Sequence, residues 1–542
     1  MTQPDPGRPS AEDIVAAAGI TPPPTIDVAA PQGINNLIQA LDNGILPDTY
    51  VRNGTLVQLV HVTATTNNSN QRAPLAVVDV TPDSLQRLLA RHTRTIRYRA
   101  TRHGTEEVPT MPAGPVVKAV LTETRWPGLR PLRGIVTAPV IRPDGTILQT
   151  EGYDPATWLY YAPATPIPPV PDIPDTTDIA RAREFVFNHV LRDFPWADTA
   201  TKANYVALLA TPLLRPYIGG LAPLGAISAT SPGSGKTLLT DIAGALYGLS
   251  SRPWVDDDTE LRKAVTATLA SSSDPVVVFD NVGEFHAVEQ PTLAKLLTSE
   301  IWHDRTLGSS NQIGLPNDRS WFVTGNNLRF GGDIPSRAVL VLLDPRMPDP
   351  DQRTGFTIPD LAAWLEEDPN RATLLYHLLV LARAWITAGA PRIATPMRNY
   401  RGWASAMAGF TTFHGLTGFM TNRGELAVHD DETTTWRSFL ATWHARHGDQ
   451  RLTAAELLAD SRHQWGGSEP VDPWGGTFLT NRRGEPLTVR GLGMMLAAKR
   501  GRWFGEYSLH ADMDRTNTRV FYVQRHPTGD LAQAQAVERG HQ

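Results

Sequence analysis

The sequence predicts an α/β chain with a parallel sheet at its centre, a mixed α+β region before it, and helices with a two-stranded ribbon behind it. Three observations carry this. From Leu224 to about Leu343 short apolar runs alternate with helical patterns, as expected where helices join parallel strands. Residues 31–160 instead alternate apolar runs (TLVQLVHV, LAVVDV, VVKAVL) with turn signals such as RNG and RPDG, which favours a small α+β domain. Near the carboxy terminus two helices capped by Thr453 and Thr488 precede WFGEYSLH and RVFYVQRH, two strand-like runs joined by the polar ADMDRTNT. Helices followed by such a ribbon spell a winged helix-turn-helix.

Taken in order, residues 1–30 are rich in Pro and Ala and read as a disordered tail. The α+β domain spans 31–161. APATPIPPVPDIPD, with six prolines in fourteen residues, makes 162–177 a semi-rigid linker. Two amphipathic helices, roughly 178–192 and 203–217, fill a segment 178–222 ahead of the sheet at 223–345. A helical subdomain follows at 346–430, where RATLLYHLLVLARAWITAG has apolar residues at 3–4 spacing and stops at Gly389. The winged-helix domain covers 431–526, and 527–542 is a tail.

Composition narrows the function classes. The 542 residues contain no cysteine, which excludes disulfides, zinc–cysteine sites and thiol nucleophiles. MTQPDPGRPS lacks a basic-then-apolar leader, and no run approaches the roughly 18 apolar residues that span a bilayer. A cytoplasmic protein without membrane contact is expected. The net charge of −5 hides two basic regions, +7 from Arg87 to Arg133 and +5 from Arg482 to Arg525. Polyanion contacts, if made, belong to the ends of the chain, the alternative being two solvated faces.

PLGAIS reads as a strand and LLTDIAGALYG as a helix, with ATSPGSGKT between them. That is the strand–loop–helix setting of a phosphate-binding loop. Pro232, Gly233, Ser234, Gly235, Lys236 and Thr237 form the cradle. The glycines let successive backbone N–H groups curl around phosphate oxygens, and the helix adds its positive end. Lys236 would reach the β/γ-phosphates of ATP, and the Thr237 hydroxyl would bind Mg²⁺. Thr230 stands where the pattern asks for a first glycine, but that position ends the strand.

DPVVVFDNVGEF (274–285) is a buried strand with Asp280 at its carboxyl end, 44 residues after Lys236. A carboxylate there would hold the magnesium water shell beside Thr237; an ordinary turn Asp is the alternative. Asn281 follows, where many ATPases have Glu. An amide can orient water but cannot take its proton, and Glu284 is a candidate substitute. RSWFVTGNNLRF brings Asn326 to the tip of a further strand, where its amide could contact the γ-phosphate and position water. Arg337 in GGDIPSRAVLVLLD could reach a neighbouring subunit's γ-phosphate, or pair with Asp333 instead.

In this order and at these intervals, PGSGKT, VVVFDN, TGNN and GGDIPSR resemble the superfamily 3-type AAA+ helicase module. In particular they are similar to the ATPases of phages, prophages and integrated islands that form the helicase half of primase-helicase replication proteins. The likeness covers roughly residues 130–525, through RPDGTILQTEGYDPAT, TELRKAVTATL, WHDRTLGSS, LARAWITAG and LTVRGLGMMLAAKRGRWFGEYSL. It implies a P-loop AAA+ core and a homo-oligomeric ring, hexameric by preference, with nucleotide sites shared between subunits. Asn326 would take the sensor role and Arg337 the finger role.

In related helicases a hairpin before the sensor strand grips single-stranded DNA, commonly with a basic residue. The equivalent Asp304–Ser320 has no Lys and offers Arg305, Asn311 and Arg319. Residues 31–160 lack a spaced acidic pair for nucleotidyl transfer, so a primase would be a separate protein. At the carboxy end, Arg490, Lys499, Arg500 and Arg502 lie on or beyond the second capped helix, with Arg515 and Arg519 on the wing. They would hold DNA phosphates while the helix enters a groove, or belong to a protein-interaction module. RTIRYRATR (94–102) puts Arg97 and Arg99 on one strand face, as a phosphate-tracking surface or as a charged edge strand.

The expectation is an ATP-dependent DNA helicase or translocase acting on single-stranded or forked DNA in the replication of a phage, prophage or mobile element. The rivals are an ATP-switched initiator or helicase loader, a small-molecule phosphotransferase, and a non-catalytic DNA-binding scaffold.

Overall fold

The computed structural model describes residues 23–29, 31–62, 75–102, 104–283, 287–305, 312–347, 349–424, 431–461, 464–466, 469–480, 486–504, 506–515 and 517–525. Glu284, Asn311, the stretch 1–22 and the carboxy-terminal tail lie outside them.

The centre is a five-stranded parallel sheet, built from apolar runs because strands covered on both faces must be apolar throughout. Helix α1 (Thr199–Ile218) leads into β1 (Leu224–Ala229), followed by α2 (Lys236–Tyr247), β2 (Leu249–Pro253), α3 (Asp258–Ser271) and β3 (Val276–Val282). A hairpin, β4 (Ile301–Arg305) with β5 (Gln312–Pro316), precedes β6 (Ser320–Asn326) and β7 (Ala338–Leu343). The sheet order is β2-β3-β6-β1-β7. β6 is therefore inserted between β1 and β3, and three strands end side by side at one edge. This mixed α/β arrangement is compatible with a P-loop core.

Two apolar clusters sandwich the sheet. One holds α1, α2 and the helices α4 (Asp368–Thr387) and α5 (Arg401–Phe413). The other holds α3, Trp302 of the hairpin and the stacked pair Phe279–Trp321. Helix α1 was expected to be amphipathic and is instead buried around most of its circumference. Its Ala200, Ala203, Ala207 and Ala210 let neighbours approach closely on several sides, as a helix inside a core requires. The first expected helix also differs, since Thr176–Arg183 widens into a π-type turn over Glu184–Val190.

Ahead of the sheet, the helices Gln32–Asp42, Pro82–His92 and Gly114–Val120 enclose a separate apolar cluster with Leu37, Leu85 and Val117. The described end of the expected tail is not a tail. Thr25–Asp27 pairs in parallel with Arg94–Ile96 and buries Ile26, an apolar side chain outweighing the proline-rich composition before it. The same pairing limits the edge-strand alternative for RTIRYRATR without removing it: Thr25–Asp27 covers only Arg94–Ile96, while Arg97 and Arg99 pair on one side, with Val108 and Glu106. Arg94–Thr101 is the middle strand of three, with Gly104–Pro109 on its other side, although Arg97 and Arg99 remain exposed. The proline-rich segment also packs inward, burying Val170 in the first cluster.

Behind the sheet, α6 (Asp431–His447), α7 (Ala454–Asp460) and α8 (Val489–Ala498) share a fourth apolar cluster with β8 (Tyr507–Met513) and β9 (Arg519–Arg525). Thr453 caps α7 through a reciprocal bond with Glu456, and Thr488 caps α8 by accepting from the Gly491 N–H. β8 and β9 pair antiparallel, flanked by the short strands Trp503–Phe504 and Leu452–Thr453. Among the described residues no helix is long and apolar enough to cross a membrane.

Candidate functional site

At the shared edge of β1, β3 and β6 the polar residues singled out above meet. Thr230 closes β1: its N–H donates to the Leu343 carbonyl and its hydroxyl to Asp344. That role needs a side chain, and it accounts for the missing first glycine. Gly233 (φ +72°) and Gly235 (φ +94°) are left-handed, a backbone that β-carbons disfavour. Ser234 is buried and donates its hydroxyl to the Ser231 carbonyl, tightening the loop. Gly235 precedes α2, so Lys236 and Thr237 occupy its first turn, where unpaired N–H groups and the helix dipole favour an anion.

Lys236 Nζ donates to Asn326 Oδ1 at 2.5 Å, linking the loop to the end of β6. With Oδ1 engaged, the Asn326 amide nitrogen is the part left for an incoming acceptor. The Thr324 hydroxyl donates to Asp280 Oδ1, while the Asn281 N–H donates to Thr324 Oγ1 at 3.1 Å. β3 is irregular here: its register against β6 shifts between Phe279 and Val282, and Asn281 is left-handed at φ +60°. The bulge turns the exposed Asn281 out of the strand, and Asn tolerates that conformation better than most residues.

Two features of the site escaped sequence reasoning. Asp241, one turn into α2 beyond Thr237, has its carboxyl pushed up by burial and then by the charge of Asp280. Helical spacing from Thr237 was the signal that could have found it. The second is a cavity of about 130 Å³ beside the loop, lined by His189, Phe194, Gly235, Leu238, Arg353 and Phe356 among others. Its walls come from segments before and after the sheet, joined where Arg353 donates to the Asp193 carbonyl and the Thr357 N–H to the Asp193 carboxylate. Asp351, on the same following segment, lies with its carboxylate against Gly233.

Other candidates lie apart. Arg337 donates to the Ala294 carbonyl and to Asp333, so the alternative ion pair is formed within the chain. Arg305 is exposed at the last described residue of β4. Arg319 is only 6% exposed and donates to Asp318 and the Ser272 carbonyl, so it does not stand on the surface as a pore contact needs. Arg490, Arg500, Arg502, Arg515 and Arg519 are exposed around α8 and the β8–β9 ribbon, and Lys499 is half-buried. Among the described residues no group of three His, Asp or Glu is arranged to hold a metal.

No protein family and no curated protein sequence matches the chain. Among solved structures it is similar to the apo A form of the NrS-1 C-terminal region, at 10% identity and a TM-score of 0.35, over 82% of this chain and 100% of that one. It is also similar to a JCV helicase bound to an acetamide compound, at 15% identity and a TM-score of 0.21, over 47% of this chain and 73% of that one. Likenesses of this size leave the geometry of the pocket to carry any functional assignment.

Proposed function

We propose that the chain is a Mg²⁺-dependent ATP hydrolase that drives movement on DNA during replication of a phage or other mobile element. The observation that carries this is the convergence of Lys236, Asn326, Thr324 and Asp280 at one sheet edge, behind a left-handed glycine loop and a helix start. The loop N–H groups and Lys236 bind the β/γ-phosphates, the apolar cavity takes the base, and the Asn326 amide faces the γ-phosphate. The donor set suits a hard divalent cation: one hydroxyl, Thr237, and two carboxylates, Asp280 and Asp241, whose mutual repulsion a cation relieves. When bound, Mg²⁺ supplies positive charge against the charge that develops on the phosphate oxygens. Asn281 orients the attacking water but accepts no proton.

In this reading the subunits form a ring, hexameric by preference, with Arg337 leaving Asp333 to serve a neighbour's site. The sheet is an AAA+ core, and residues 431–526 are a winged helix holding DNA phosphates through Arg490, Arg500, Arg502 and Arg519. ATP turnover together with strand displacement on forked DNA tests the proposal. Wild type should do both, and a chain that turns over no ATP in the presence of Mg²⁺ and single-stranded DNA defeats it.

Asn281 favours one second reading, an ATP-switched initiator or loader. A site lacking an acid next to Asp280 would bind nucleotide and hydrolyse it slowly. Slow turnover with nucleotide-dependent assembly and no strand displacement selects that reading.

A further inference from the structure

At the opposite end of β6 from Asn326, four guanidinium groups surround one carboxylate. Arg319 donates to Asp318 at 2.6 Å and Arg133 at 3.3 Å, while Arg52 and Arg215 act on it through space. Burial alone would push the Asp318 carboxyl up, but the four arginines outweigh it and hold the group below the usual range. Burial, and then the charge of Arg319, pulls Arg52 down. Asp79 near Arg52 and Glu300 near Arg215 are the other acids that reach the cluster, and neither forms an ion pair with it.

The cations are held in place yet unsatisfied. Arg215 donates its terminal nitrogens to the Arg319 and Asn317 carbonyls. The Nε atoms of Arg52, Arg215 and Arg319 remain buried without a partner, and Arg215 as a whole is only 9% exposed. Arg133, Arg215 and Asp318 line a cavity of about 530 Å³ together with Asn53, Trp158 and Glu300. A second cavity, of about 50 Å³, lies against Arg133, Arg215, Asp318 and Arg319. Burying charge without acceptors is costly, and guanidinium forks match tetrahedral oxyanions better than any other side chain does.

We propose that the cavity lined by Arg133 and Arg215 binds a phosphate group, with Arg319 lining the smaller cavity against the same arginines and Arg52 adding charge on Asp318. The site stands independently of the ATPase reading, since it rests on none of the nucleotide-site residues. A free polyphosphate and a nucleic-acid backbone offer the same chemistry. Asp318 and Arg319 join the β4–β5 hairpin to β6, so the ligand meets the chain where hairpin and nucleotide strand connect.

The test uses the full chain carrying Lys236→Ala, which weakens the other phosphate site, with sodium tripolyphosphate and a single-stranded oligothymidylate as probes. Tripolyphosphate should raise its unfolding midpoint, and adding Arg52→Gln and Arg133→Gln should weaken that binding by about tenfold or more. In phosphate-free buffer Arg52→Gln alone should leave the midpoint unchanged or raise it, because burial and the charge of Arg319 outweigh the pull of Asp318 on Arg52. Parallel loss of oligothymidylate binding assigns the phosphate to a nucleic-acid backbone, and unchanged oligothymidylate binding assigns it to a free polyphosphate. The proposal is overturned if neither probe binds the Lys236→Ala chain, or if both bind undiminished after the two arginine changes. It is also overturned if Arg52→Gln lowers the midpoint equally with and without tripolyphosphate, the mark of a purely structural ion-pair network.

Discussion

The polar pocket at the sheet edge and the carboxy-terminal basic surface use charge in opposite ways. In the pocket Lys236 is bonded to Asn326, joining α2 to β6, and Asp280 to Thr324, joining β3 to β6. Around α8, Arg490, Arg500, Arg502, Arg515 and Arg519 form no ion pair among the described residues and stand in solvent. The first arrangement fixes a few groups to within a bond length and is insensitive to salt. The second leaves many groups mobile, and its influence extends only about a Debye length, roughly 8–10 Å at ordinary ionic strength.

The largest expected effect breaks the paired side. Lys236→Ala should reduce ATP turnover by about 10²–10³-fold, the usual loss when one preorganised charge donor is removed from a transition state. Unchanged turnover would remove the pocket from the chemistry. Asn326→Ala should cost somewhat less, about 10²-fold in kcat with a smaller change in KM, because its amide is proposed to act late on the γ-phosphate. A loss confined to KM would make it a binding group only.

On the exposed side, Arg490→Gln with Arg519→Gln should weaken DNA binding at low salt. The change should reduce the slope of log affinity against log salt by about 0.7–0.9 for each phosphate that is no longer neutralised. A loss of affinity with no change in slope would mean that these residues do not meet phosphates. Asp351→Asn should tighten ATP binding a few-fold, about threefold to tenfold, by removing a negative charge from beside Gly233. Titration of the two proteins with a fluorescent ATP analogue decides it, and equal affinities would show that the loop moves away from Asp351 on binding. The smallest effect is structural: Thr453→Ala removes a capping box and should cost about 1 kcal/mol in the unfolding of the carboxy-terminal unit, read by denaturant titration.

The same contrast explains what could be read from the chain. The strand–glycine loop–helix unit was legible because its parts are consecutive in sequence, and so were the caps at Thr453 and Thr488. Asp280 and Asn326 were legible as ends of apolar runs, but their bonds to Thr324 and Lys236 depend on β6 entering between β1 and β3. No local pattern states that order. The cavity beside the loop was invisible because His189 and Phe356 are far apart in sequence and meet only in the folded chain. Arg319 was misjudged for a related reason. An arginine next to a hairpin looks exposed until its bonds to Asp318 and the Ser272 carbonyl, and the approach of Arg215 from α1, draw it inside.

The Asp193 clasp has a consequence for how the chain could be divided. Arg353 and Thr357 reach back to a residue that precedes α1, so the wall of the cavity is completed by chain that follows β7. A fragment ending near Leu343 would keep every strand of the central sheet, the glycine loop, Lys236, Asp280 and Asn326. On the proposed function, it would grip a polyphosphate tail while ignoring which base is attached, and adenosine and guanosine triphosphates would compete for it as equals.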